Sequence, residues 1–203
     1  MITLSSAYLG PILHYALLSQ NETYEIDTAE HFVKQSYRSR CEIYGANGRL
    51  KLIVPLEKWK NNSPIKDIKI SYDENWQSLH WRSFESAYRL SPFFDFFEED
   101  FRPFYEKKYS FLIELNRELE EKIKSLLKIT ATANYTETYK KCDPDYRKLI
   151  SPKNKAVVQA VNFEHYYQVF EDKYGFLENL SILDLLFNLG PASKAYLLQT
   201  KII

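Results

Sequence analysis

Between two strand-like segments the chain carries the run HFVKQSYRSRCEI, His31 to Ile43, in which Lys34, Arg38 and Arg40 lie within seven residues and are interleaved with Gln35, Ser36 and Tyr37. Guanidinium groups bind carboxylate or phosphate through paired hydrogen bonds, and an ammonium group adds a compact point charge. If the run is extended, its side chains alternate, so Lys34, Ser36, Arg38 and Arg40 share one face and Gln35, Tyr37 and Cys41 the other. Three cations and a hydroxyl on one face are suited to gripping an anion. The competing reading pairs Arg38 and Arg40 with carboxylates of the same chain, which holds 27 acidic residues.

The remaining reactive side chains have structural explanations beside chemical ones. His14 falls on a predicted first helix next to Tyr15, and His80 one turn from Trp76 on an aromatic helix. A lone helical His is more often a hydrogen-bonded core residue than a catalyst. No His or Cys pair has metal-ligand spacing, so no metal is expected. Ser181, Asp184 and Asn188 recur at spacings of three and four on the last predicted helix, where capping accounts for the first two and the helix end for the third. Cys41 and Cys142 stand too far apart in sequence to suggest a disulfide framework and fit reduced thiols. There is no Gly-rich phosphate loop, nucleophile elbow or kinase signature, and the sequence names no cofactor.

Alternating segments of two periods must position these residues. ITLSSAYL reads as a strand that Gly10 and Pro11 turn into a helix carrying Ile12, Tyr15 and Leu18. ETYEID alternates as a second strand, and two strand-like runs flank Asn47 and Gly48 as a hairpin. IKDIKIS, KITATANY and HYYQVFEDKYGF read as further strands. Asp73 can cap an aromatic helix buried on two sides, and Leu112, Leu115, Leu119, Ile123 and Leu126 line the longest helix with charges opposite. The expected fold is α/β: a largely parallel sheet flanked by helices, with an inserted antiparallel hairpin. The chain reads as a single domain over 1–203, and the polar segment 139–156 is the place for a linker.

With 27 basic and 27 acidic residues, net charge gives no reason to expect a nucleic-acid binder, and RNA binding is set aside. Sign is nevertheless segregated: Lys34 to Lys69 holds nine Lys or Arg against three acids, while Phe93 to Glu121 holds nine acids against four bases. The opening MITLSSAYLGPILHYALL lacks a basic leader and is interrupted by Gly10, Pro11 and His14, so neither a signal peptide nor membrane insertion is expected and the chain reads as cytoplasmic. Its oligomeric state is not legible.

The blocks AYLGPILHYALL, KQSYRSR, LIVPL, WQSLHWRSFESAYRLSPFF and NLSILDLLFNLGP resemble, in order, those of the WbqC-like family of bacterial proteins. The family's opening usually carries a Gln-Pro pair where this chain has Ser5 and Ser6. The resemblance implies a link to O-antigen or other surface-polysaccharide biosynthesis and a transferase-like activity. The family's opening is itself similar to the strand, loop and helix of nucleotidyl-transferring α/β enzymes, which would bring Tyr8, His14 and Tyr15 near a ligand-binding strand end. The expected substrate is an activated anionic small molecule, such as a nucleotide-sugar or an acyl donor. Tyr8, Tyr15, Lys34, Gln35, Ser36, Arg38, Arg40 and His80 would contact it, and His14 and Tyr37 would move or orient protons. The alternative is a non-catalytic saccharide- or protein-binding module.

Overall fold

A computed structural model of the chain describes residues 1–139 and 143–202; Cys142 and part of the 139–156 segment lie outside them. In chain order the elements are β1 (Ile2–Leu4), α1 (Ile12–Ser19), β2 (Thr23–Asp27), β3 (Arg40–Gly45), β4 (Gly48–Ile53), α2 (Trp76–Tyr88), α3 (Phe94–Phe101), α4 (Pro103–Glu106), α5 (Leu112–Leu126), β5 (Thr132–Thr136), α6 (Lys155–Gln159), α7 (Glu171–Tyr174), α8 (Ile182–Leu189) and α9 (Ser193–Gln199). β1, β2 and β5 form a parallel sheet in the order β1-β2-β5, with Ile2 opposite Tyr24 and Tyr24 opposite Ala133. Ile2, Leu4, Tyr24 and Ile26 are buried, as an interior parallel sheet requires. β3 and β4 pair antiparallel as a separate hairpin inserted between β2 and β5, from Arg40 opposite Ile53 to Gly45 opposite Gly48. The fold is therefore the α/β arrangement expected, with the hairpin where Gly48, at φ +92°, admits the tight turn.

Four local expectations give way to tertiary demands. IKDIKIS forms a 3₁₀ turn at Ile65–Asp67, because its inward residues are Ile65, Ile68 and Ile70, a spacing that begins at three rather than two. HYYQVFEDKYGF is irregular chain followed by the short helix α7; Gln168 pins it by accepting from the Leu177 N–H and donating to its carbonyl. α2 buries one broad stripe, Trp76, Gln77, His80, Phe84, Ala87 and Tyr88, and leaves Leu79 exposed on the other side. Asp73 does not cap it, since its carboxylate takes the Ser71 hydroxyl instead.

The basic run also departs from expectation. Residues 34–39 turn rather than extend, with Gln35 at φ +57° and the Ser36 hydroxyl donating to the Val33 carbonyl at 2.6 Å, and β3 begins only at Arg40. The side chains therefore do not alternate on two faces.

α5 adds a polar surprise. Beside its apolar stripe it buries Asn116, Glu120 and Lys124 at intervals of four, against the loop after β1 and against β2. Asn116 donates to the Ser6 hydroxyl at 2.9 Å and to the Arg38 carbonyl at 2.8 Å, tying the basic turn to the β1–α1 loop.

Candidate functional site

A cavity of about 670 Å3 opens where the parallel strands end. Ala29, Glu30 and His31 follow the end of β2 and Tyr139 follows β5. The segment after Pro144 runs along the free edge of β1, where the Thr3 N–H donates to the Pro144 carbonyl at 3.1 Å and the Tyr146 N–H to the Thr3 carbonyl at 2.9 Å. That pairing carries Arg147, Lys148, Ser151 and Lys153 to the same hollow as Lys34, Gln35, Ser36 and Arg38. Open α/β sheets characteristically bind ligands at the carboxyl ends of their strands. The volume suits a small molecule.

Charge at the hollow is layered. On the floor, buried Arg38 grips buried Glu30 in a fork, Nε to Oε1 at 2.9 Å and Nη2 to Oε2 at 2.6 Å. Beside it Arg147 donates to Asp27 Oδ2 at 2.8 Å and to both oxygens of Asp145 at 3.0 and 2.7 Å. Those hydrogen bonds hold the Asp145 carboxyl below its usual value. At the rim Lys34, Lys148 and Lys153 are exposed, and the Lys34 ammonium sits 5.1 Å from the centre of the Trp59 ring. Among the lining residues five cations face two carboxylates.

Of the residues expected from sequence, Lys34, Gln35, Ser36 and Arg38 meet in this cavity. Arg40 does not line it; its guanidinium lies 3.7 Å from Glu42. Tyr37 is buried, gives its backbone carbonyl to the Tyr8 N–H at 2.8 Å, and has its phenol pKa pushed up by burial. Tyr8 and His80 meet each other instead: the Tyr8 hydroxyl is 2.8 Å from His80 Nδ1 and 2.8 Å from the Tyr105 hydroxyl, inside the core. Desolvation by burial lowers the His80 pKa to about 4.

His14 and Tyr15 also lie inside. His14 Nε2 is 3.0 Å from Glu120 Oε2, and Glu120 Oε1 accepts from the Tyr24 hydroxyl at 2.5 Å. The Tyr15 ring packs edge-on against His14 at 5.2 Å. Cys41 is a buried free thiol whose pKa burial pushes up, which suits packing and not nucleophilic attack.

Sequence reasoning missed Glu30, His31, Arg147, Lys148 and Lys153. For the last three the signal is present in DPDYRKLISPKNK, whose polarity the sequence offers only as that of a linker. Among the described residues no group of three or more His, Cys, Asp or Glu could hold a metal, and no helix is long and apolar enough to cross a membrane.

Fold and hollow together define an α/β protein with a ligand-sized, predominantly cationic crevice at the carboxyl edge of a parallel sheet. The model of the WbqC-like protein family matches residues 6–168, and the chain belongs to that family. Every residue lining the crevice falls within the matched region, whereas the NLSILDLLFNLGP block lies beyond it. No curated protein and no solved structure matches the chain.

Proposed function

We propose that the chain is a group transferase of the WbqC-like family that draws on an activated, anionic small molecule in the cytoplasm and serves the assembly of O-antigen or another surface polysaccharide. The observation that carries this reading is the crevice, with five cations against two carboxylates at the sheet's carboxyl edge. The polysaccharide link rests on the family's association with such loci. Lys34, Lys148 and Lys153 hold the anion, because exposed ammonium groups can close on a ligand without leaving an internal partner unpaired. Arg38 and Arg147 act as a fixed floor, oriented by Glu30, Asp27 and Asp145.

In the transfer step an acceptor hydroxyl attacks the activated carbon and passes its proton to a base. The leaving group departs with the bonding electrons, and its charge is met by the rim lysines. The exposed imidazole of His31, in the crevice lining, is the base in this scheme. His14 and Tyr37, outside that lining, serve packing and orientation.

The binding-only alternative draws on one specific observation: both floor arginines are already paired with carboxylates of the chain. Incubating the purified protein with activated donors and a saccharide fraction of its host, followed by mass spectrometry, separates the two. Transfer is expected to give a product whose formation His31→Ala abolishes while donor binding persists. Donor binding with no product in the parent would leave the binding module standing and remove the transferase.

A further inference from the structure

Resting on the reading of the crevice as an anion site, we infer that its ligand is a nucleoside diphosphate moiety, with the base stacked on Tyr139 and the diphosphate held by the rim lysines. Tyr139 lines the same cavity as Lys34, Lys148 and Lys153, and its ring is 64% exposed. An exposed ring is ordinary on a protein surface, and what sets this one apart is its place in the cavity beside three lysines.

The Arg147 guanidinium backs the ring at 5.0 Å from its centre, and that guanidinium is itself fixed by Asp27 and Asp145. One face is thus braced against a rigid cation, while most of the ring's surface is exposed. Such a plate suits a planar base, whose stacking tolerates any nucleobase because each has a π-face.

The polar remainder of the lining fits the rest of the ligand. Three exposed ammonium groups match the charge of a diphosphate better than that of a single carboxylate. The exposed Gln35 amide and the Ser151 hydroxyl supply donors and acceptors of the kind a ribose needs. A pantetheine thiol arm borne on a protein, with no nucleotide attached, would leave the aromatic plate unused. A free phosphate would occupy only a corner of about 670 Å3.

Isothermal titration of the full chain with uridine diphosphate, adenosine diphosphate and inorganic pyrophosphate tests this. Both nucleotides are expected to bind about tenfold or more tightly than pyrophosphate. Tyr139→Ala is expected to bring them down to the pyrophosphate level without changing pyrophosphate binding, and Tyr139→Phe to keep the parent's preference. Tyr139→Phe keeps the ring against the buried Arg147 guanidinium, and unchanged pyrophosphate binding in Tyr139→Ala shows that losing that contact leaves the anion site in place. Equal affinity for nucleotides and pyrophosphate in the parent, or a preference that survives Tyr139→Ala, overturns the inference while leaving the anion site intact. Failure of all three ligands to bind overturns both.

Discussion

At the scale of single residues, the crevice separates cations that hold the protein together from cations free to meet a ligand. Arg38→Ala is expected to cost about 3–5 kcal/mol in urea unfolding, because it strands the Glu30 carboxylate in a buried site. Lys148→Ala, on an exposed side chain, is expected to stay within about 0.5 kcal/mol of the parent. Similar losses for both would contradict the division. Lys34 and Arg38 were legible as neighbours because they lie four residues apart in one run. Arg147, Lys148 and Lys153 were not, since they arrive from more than a hundred residues downstream through backbone pairing with Thr3.

Two buried titratable groups pull stability in opposite directions. Desolvation raises the Asp184 pKa from 3.8 to about 6, despite hydrogen bonds from Tyr166, Gln168 and Tyr88 that favour its carboxylate. The native state therefore binds this proton more tightly than the unfolded chain, and the resulting stability, full below pH 3.8, is lost as pH rises through about 6. His80, lowered from 6.5 to about 4, does the reverse: its contribution is full above pH 6.5 and lost as pH falls through about 4. Asp184→Asn removes the opposing slope and is expected to steepen acid destabilisation between pH 6 and 4. Stability profiles parallel to the parent's across that window would refute the assignment. Spacing presents Asp184 as a helix cap, since it shows a Ser and an Asp three apart but not Tyr88 and Tyr166, which the fold brings to the carboxylate.

Among elements, those whose residue types keep a regular period are legible in the sequence. β2 alternates Tyr24 and Ile26 with Glu25 and Asp27 although both of its faces are buried, Asn47 and Gly48 mark the β3–β4 hairpin, and the apolar stripe of α5 recurs at helical spacing because one core lies beneath it. Where a segment answers to two neighbours its pattern misleads, as in the turn at Ile65–Asp67 and in the buried Asn116, Glu120 and Lys124 of α5. The end of α8 is a sharper case. Gly190 sits at φ +53°, and a Cβ there would come within 2.5 Å of the Phe93 ring, so the stop signal is also a packing requirement. Gly190→Ala is expected to destabilise by about 2–4 kcal/mol, the sum of left-handed strain and overpacking. A loss below about 1 kcal/mol in thermal unfolding would show that neither constraint holds.

For the whole molecule, the carboxyl ends of the parallel sheet, the turn at 34–39 and the edge segment after Pro144 converge on one hollow whose rim is positive although the chain as a whole is neutral. Net charge therefore hid the site and only its segregation hinted at it. Calorimetric titration of pyrophosphate into the parent and into Lys34→Ala/Lys148→Ala/Lys153→Ala tests the anion crevice most directly. Saturable binding is expected in the parent, weakening as salt rises and falling at least about tenfold in the triple variant, whose folded stability changes by about 1 kcal/mol or less. Parent and triple variant binding pyrophosphate equally well, or the parent not binding it at all, would contradict the account.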